Sequence, residues 1–263
     1  MTGALSDVVA MIHRHFLHLR RTPTRVLGVT LTPVTMVLVL GYMLNNVITV
    51  RGGGDYLAYM MAGVGAQVAL ACVGGIAIGT ATSLRNGLID RFRSLPTARS
   101  SILIAHTVSD LVLAAIGMAI ASVVGLLLGW RPHASALALI AGFAVLLAFA
   151  YVMLWFGVLL GLTVRSPEAL GALAGLVLVG GSFLSNAFVP LDGLPDWLRT
   201  LAEWSPISAV VATCRELWSG SASIVDGSFP STHPMTTAVI MLSVIAVITV
   251  PLSIRAYRTA GAG

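Results

Sequence analysis

Lysine is absent from this 263-residue chain, and all 15 basic residues are arginine. A P-loop ATPase needs the lysine of G-x-x-x-x-G-K-[ST] to reach the nucleotide phosphates, so the chain is not by itself an ordinary P-loop ATPase. The same absence excludes Schiff-base chemistry. Charge of either sign is scarce: Asp, Glu, Lys and Arg make up 10% of the residues, against about 25% in a typical soluble domain. Hydrophobic residues make up 57% and the mean hydropathy is +0.94, too little polar surface for a soluble fold of this length. Soluble enzyme, nucleic-acid binder and disordered tail are disfavoured, and the composition is that of an integral membrane protein. The two cysteines, Cys72 and Cys214, are too few for a disulfide framework or a metal cluster. There is no H-E-x-x-H, no G-x-S-x-G and no Cys/His cluster at metal spacing, so no catalytic, cofactor or metal residue is assigned.

Six apolar stretches have the ~20 residues needed to cross a hydrocarbon core: 26–44, 57–80, 102–129, 134–163, 169–188 and 236–254. Eleven of the 15 arginines fall on one side of this arrangement, and Arg51, Arg131, Arg199 and Arg215 on the other. The arginine-rich side is expected in the cytoplasm, with both termini there. Asp55, Asp192, Asp196, Glu203, Glu216 and Asp226 lie on the opposite side. The net charge of +5 then reads as arginine beside anionic lipid, with no nucleic acid as partner. In residues 1–25, Leu5, Val8, Val9, Ile12, Phe16 and Leu19 recur at helical spacing with His and Arg on other faces. That pattern fits an amphipathic helix on the inner membrane surface, or a plain basic anchor.

Polar groups within the spans are few. His106 and Asp110 stand four apart near the start of the third stretch, either a functional pair or an interhelical or snorkelling one. Thr30, Thr32 and Thr35 around Pro33, with Ser182 and Asn186 late in the fifth, either line a polar path or bond to neighbouring helices. Met36 belongs to a scatter of methionines that suit a varied apolar cargo or simply face lipid. Four G-x-x-x-G pairs occur, at Gly75/Gly79, Gly125/Gly129, Gly157/Gly161 and Gly171/Gly175. With 27 glycines roughly three such pairs arise by chance, so they are no argument for a dimer.

Two segments stand out. The loop over 84–101 carries an apolar stripe of Leu84, Leu88, Phe92 and Leu95, with Asp90, Arg91 and Arg93 off it and Pro96 to end the helix. It suits a partner's groove or a lipid surface. The second, 189–220, contains Pro190, Pro195 and Pro206 with Trp197, Trp204 and Trp218, and reads as two short helices broken at Pro195 and Pro206. Its tryptophans are expected at the headgroup level, in a segment that dips into the outer leaflet or merely anchors there.

These residues together resemble the permease subunit of bacterial type-2 ABC exporters, the daunorubicin-resistance type in particular. The likeness rests on Gly87, Asp90, Phe92, Leu95-Pro96 and Arg99 in the loop. It rests equally on Phe188-Val-Pro190, Leu194-Pro195-x-Trp197-Leu198 and Ser205-Pro206. Several members carry Glu where this chain has Asp90, a departure that keeps the charge. The resemblance implies a transmembrane half working with a separate nucleotide-binding ATPase, which supplies the ATP and Mg chemistry. Arg85, Gly87, Asp90, Arg91, Phe92, Arg93, Leu95, Pro96 and Arg99 would couple to that ATPase. Thr32, Met36, Ser182 and Asn186 would line the path, and Pro190, Pro195, Trp197 and Pro206 an outer gate or interface. A second permease chain, identical or related, would complete the assembly.

The expected architecture is an all-α integral membrane protein. A surface helix over 1–25 precedes a six-span domain over 26–258, with outer re-entrant helices at 189–220 and a tail at 259–263. Its expected place is the bacterial plasma membrane and its expected task the export of a drug, polyketide or lipid. The alternative is an ion-coupled secondary transporter without an ATPase, for which the only candidate residues are His106 and Asp110.

Overall fold

The computed structural model describes residues 23–44, 55–85, 99–164, 166–219 and 228–259, and among these every regular element is a helix. In chain order they are α1 (Pro23–Leu44), α2 (Tyr56–Arg85), α3 (Arg99–Leu127), α4 (Ala136–Thr163), α5 (Pro167–Phe183), α6 (Asp196–Glu203), α7 (Pro206–Ser219), a single turn α8 (Phe229–Thr232) and α9 (Pro234–Thr259). A 3₁₀ turn, Leu191–Gly193, stands before α6. The expected surface helix, most of it before α1, and the core of the loop at 86–98 lie outside the described residues.

Among the described residues, four stretches are long and apolar enough to cross a membrane: Tyr56–Arg85, His106–Leu127, Ala136–Thr163 and Pro234–Tyr257. The apolar parts of α1 and α5 are shorter, Leu27–Met43 and Pro167–Phe183. At 17 residues α5 rises roughly 26 Å, less than a ~30 Å core. The fifth expected span, 169–188, is thus corrected: its helix starts two residues earlier and stops five residues earlier. The cause is local. The Ser185 hydroxyl donates to the Ser182 carbonyl at 2.9 Å and accepts from the Ala187 amide at 3.3 Å, bonds that compete with the helical ladder.

Other boundaries follow from caps. Ser135 and Ser166 accept from the Ala138 and Ala169 amides, each at 3.2 Å, and start α4 and α5. At the end of α3, Gly129 takes φ 109°, its amide bonding to the Leu126 carbonyl and that of Trp130 to the Gly125 carbonyl. This Schellman turn needs a residue without Cβ, so Gly129 ends a helix and does not pair two of them.

α2 is the centre of the molecule, with α1, α3, α4, α5 and α7 all packed on it. In its membrane-crossing window 78% of residues are buried, against 22% in α9. The outward face of α9 (Met235, Val239, Val244, Val247 and Ile248 among others) is exposed and apolar, a surface suited to lipid. α4 lies against α2 through glycine: a Cβ at Gly157 would collide with Ile76, and one at Gly161 with the Ala77 carbonyl. The Gly157/Gly161 pair therefore serves an intrachain contact. Around Gly171 and Gly175, in contrast, nothing stands within 4 Å.

The tryptophans divide. Trp197 and Trp204 are exposed, but Trp218 is 5% exposed and lies over Gly142 with ring contacts to Trp130 and Phe143. Its indole N–H donates to the Leu139 carbonyl at 3.3 Å, so Trp218 packs within the helices while Trp197 and Trp204 face outward.

The glycine contacts set a test. Gly161→Ala should destabilise the detergent-purified chain by about 1–3 kcal/mol, because the added methyl meets backbone that cannot yield. Gly175→Ala should leave its melting temperature unchanged or slightly raised, since Ala is the better helix former. Thermal unfolding followed by intrinsic fluorescence distinguishes the two.

Candidate functional site

Beyond Phe183 the chain leaves helical geometry amid apolar side chains, and its freed backbone groups must find partners there. They find them on α2 and α7. The Asn186 carbonyl accepts from the Tyr59 hydroxyl at 3.0 Å and from Arg215 Nη2 at 2.6 Å. The Ala187 carbonyl accepts from the same nitrogen at 3.0 Å, and the Phe188 carbonyl from the Tyr56 hydroxyl at 2.9 Å. The Asn186 amide donates to Ser208 Oγ on α7 at 3.0 Å.

Arg215 organises this knot. Its Nε donates to the Tyr59 carbonyl at 2.8 Å, and its guanidinium carbon lies 3.4 Å from the centroid of the Tyr59 ring. One planar cation thus bridges α2, α7 and the segment after α5, with donors directed at three carbonyls and its face on an aromatic ring. Tyr56 and Tyr59 stack at 6.2 Å between centroids. Gly63 completes the same face of α2: a Cβ there would run into the Ala187 carbonyl, so glycine permits the backbone contact.

Three polar atoms at this corner have no hydrogen-bond partner: Gln67 Oε1 on α2, Ser182 Oγ on α5 and Asn186 Oδ1. Gln67 and Ser182 are 3% and 1% exposed. Gly63 packs on Ala187 and Leu70 packs on Gly181, so Gln67, between them on the same helical stripe, stands level with 182–186.

The expected pathway residues are therefore split. Ser182 and Asn186 belong to the knot, whereas Thr32 is exposed and Met36 half-buried on α1, which packs on α2 and α3. Of the expected coupling residues, Arg85 is the exposed last residue of α2 and Arg99 the first of α3. Gly87, Asp90, Arg91, Phe92, Arg93, Leu95 and Pro96 lie outside the described residues. Pro190 precedes the 3₁₀ turn, Pro195 precedes α6, and Pro206 opens α7. Trp197 is 71% exposed, on an apolar face of α6 shared with Leu201. His106 and Asp110 are 3.5 Å apart within α3, away from the knot. Tyr56, Tyr59, Gln67, Ser208 and Arg215 were not foreseen as site residues. An arginine following the apolar first half of α7, and a glutamine within a helix that carries no charge between its first residue and Arg85, are the signals that pointed to them.

Residues 6–217 match the protein family described as ABC-2 type transporter, a range that takes in the whole knot from Tyr56 to Arg215. The chain belongs to that family. It is also 25% identical over 259 residues to the daunorubicin resistance ABC transporter permease protein DrrB1 of Streptomyces coeruleorubidus, covering 98% of this chain and 88% of that one. As an ABC-2 permease the chain is a multi-pass membrane transport protein. No group of His, Cys, Asp and Glu that could hold a metal occurs among the described residues.

Removal of the central donor has a calculable cost. Arg215→Met takes a donor from three carbonyls, of which the Asn186 carbonyl keeps the Tyr59 hydroxyl and the Tyr59 carbonyl lies within α2, so the Ala187 carbonyl is the one left unpaired and the change should destabilise this ABC-2 chain by about 1–3 kcal/mol. Tyr56→Phe removes one donor and should cost about 1–2 kcal/mol. In a double-mutant cycle, Arg215→Met and Tyr59→Phe should be non-additive, because both donate to the Asn186 carbonyl. Denaturant titration in mild detergent measures each value.

Proposed function

We propose that this chain is the permease subunit of an ATP-driven exporter of hydrophobic or amphiphilic molecules (drug, polyketide or lipid), energised by a separate ATPase that docks on loop 84–101. The observation that carries this reading is the likeness, over nearly the full chain, to a permease named for daunorubicin resistance. The absence of lysine supports the division of labour, since the ATP and Mg chemistry then belongs to the partner. Alternating access needs no bond-making here, only two packings of the helices with different exposure of the path.

In this reading α1 and α5 complete six spans in the bacterial plasma membrane, both termini being cytoplasmic by the arginine asymmetry. The non-helical chain after Phe183 supplies the length that α5 lacks. A second permease chain, identical or related, packs on α1 and α5. In support, Leu31, Leu38 and Tyr42 are exposed along one face of α1, and Leu176, Val179 and Phe183 along one face of α5 beside the open Gly171 and Gly175. Trp197 and Leu201 on α6 and Trp204 at its C-terminal cap, all exposed, fit the headgroup layer beside the outer gate. The ion-coupled alternative rests on His106 and Asp110 alone, and membership of an ABC family favours ATP in its place.

The test is a mild-detergent pull-down of the tagged chain from its native host, with mass spectrometry of what co-purifies. A stoichiometric Walker-motif ATPase, reduced at least about tenfold by Asp90→Ala with Arg91→Ala, is the expected result, since a docking helix concentrates its energy in a few side chains. A chain that comes down without any ATPase would sink the proposal.

A further inference from the structure

The knot holds the carbonyls of Asn186, Ala187 and Phe188 but leaves three side-chain atoms around it unpartnered, and that remainder has a chemistry of its own. Gln67 Oε1 and Asn186 Oδ1 are acceptors, and Ser182 Oγ both accepts and donates. A buried polar atom without a partner is costly, and a corner that holds three of them on two facing elements is arranged for a group that arrives from elsewhere. Apolar side chains surround them: Leu70 and Ile207 both come onto Gly181 at the same level, so a visitor meets an apolar wall and a cluster of acceptors together. Arg215 fixes the sign of its charge. Its bonds run to the carbonyls of Tyr59, Asn186 and Ala187 and to no carboxylate among the described residues, so its positive charge stays uncompensated beside Asn186. An ammonium group would be repelled there, whereas a hydroxyl would not.

We propose that Gln67, Ser182 and Asn186 are the hydrogen-bonding station of the transport path, and that it takes the hydroxyl groups of an uncharged amphiphile. The assignment rests on the export reading above and adds the substrate chemistry: donors without charge on an otherwise apolar body. It also gives Ser182 and Asn186 their place in the path through a partner on α2, while Thr32 and Met36 on α1 have none in the station.

Two probes with one flat apolar body separate the alternatives: resveratrol, which carries phenolic donors, and its trimethyl ether, which has none. The permease together with its ATPase is reconstituted in lipid nanodiscs, and ATP hydrolysis is titrated with each probe. The readout is the ratio of the two half-saturating concentrations, so a variant that merely weakens the fold moves both probes together. The wild-type ratio should favour resveratrol by about tenfold, and Gln67→Met, Ser182→Ala or Asn186→Leu should bring it within about twofold of unity. Because Met and Ala remove an unpartnered group and no bond, Gln67→Met and Ser182→Ala should melt no lower than the wild type. A ratio unchanged in all three variants would overturn the assignment. So would a fall in melting temperature with equal shifts for both probes, which would make these residues structural. If an ATPase co-purifies and turns over ATP but neither probe alters its rate, the station is again overturned and the permease reading stands. If no ATPase co-purifies, the permease reading itself fails and the station with it.

Discussion

A chain that leaves the helix among apolar side chains must have a donor for each carbonyl it frees, and the rest of this molecule is arranged around that requirement after Phe183. In water such a break is satisfied by solvent; at membrane depth an unpaired group costs several kcal/mol. Here the donors come from far away in sequence, Tyr56 and Tyr59 on α2 and Arg215 on α7. Their placement demands that α2, α7 and the end of α5 meet at one point, and Gly63 lets the backbone of Ala187 approach α2 closely enough for that. The break is thus more than an interruption of α5, because it joins the central helix to the short helices that follow.

The choice of arginine at this point follows from geometry. A lysine ammonium is a compact point charge, strongly hydrated and without a flat face. Arg215 lies flat on Tyr59 while its edge donates to three carbonyls in different directions. A chain with no lysine at all loses nothing here, since only the guanidinium performs both tasks.

Much of the fold was legible because the physics that writes it is local or periodic. Long runs with at most one charge gave α2, α3, α4 and α9 nearly to their ends, and Ser135, Ser166 and Gly129 mark boundaries that capping rules explain. The end of α5 was misplaced because Leu184, Ala187 and Phe188 continue the apolar run on either side of Ser185 and Asn186. Its termination depends on the Ser185 bonds and on partners more than a hundred positions away. Arg215 was counted only as one charge on a loop-rich side, for a sequence gives its sign and not its three acceptors. The burial of Trp218 was not legible, because it depends on Gly142, a residue with no side chain to announce the contact. Ser182 and Asn186 were legible as polar residues late in a span, but Gln67 on α2 was not, since its burial and facing direction follow only from how α2 packs.

α5 therefore has two unlike faces. One packs on α2 and ends in the knot, where the carbonyls of Asn186, Ala187 and Phe188 are held and side-chain acceptors are left open. The other carries Gly171 and Gly175 with nothing against them and a row of exposed Leu176, Val179 and Phe183. A helix packed closely through small residues can slide or rotate by a small amount at low cost, whereas a terminus held by an arginine and two tyrosines cannot. Displacement of α5 by a chain on its open face would then be converted at the knot into movement of α7 and of Gln67 relative to Ser182. Such an arrangement places the unpartnered acceptors where a change in helix packing alters them most. A transport protein that alternates between two packings needs its substrate contacts at such a place, because only a contact that differs between the two states can couple binding to the change.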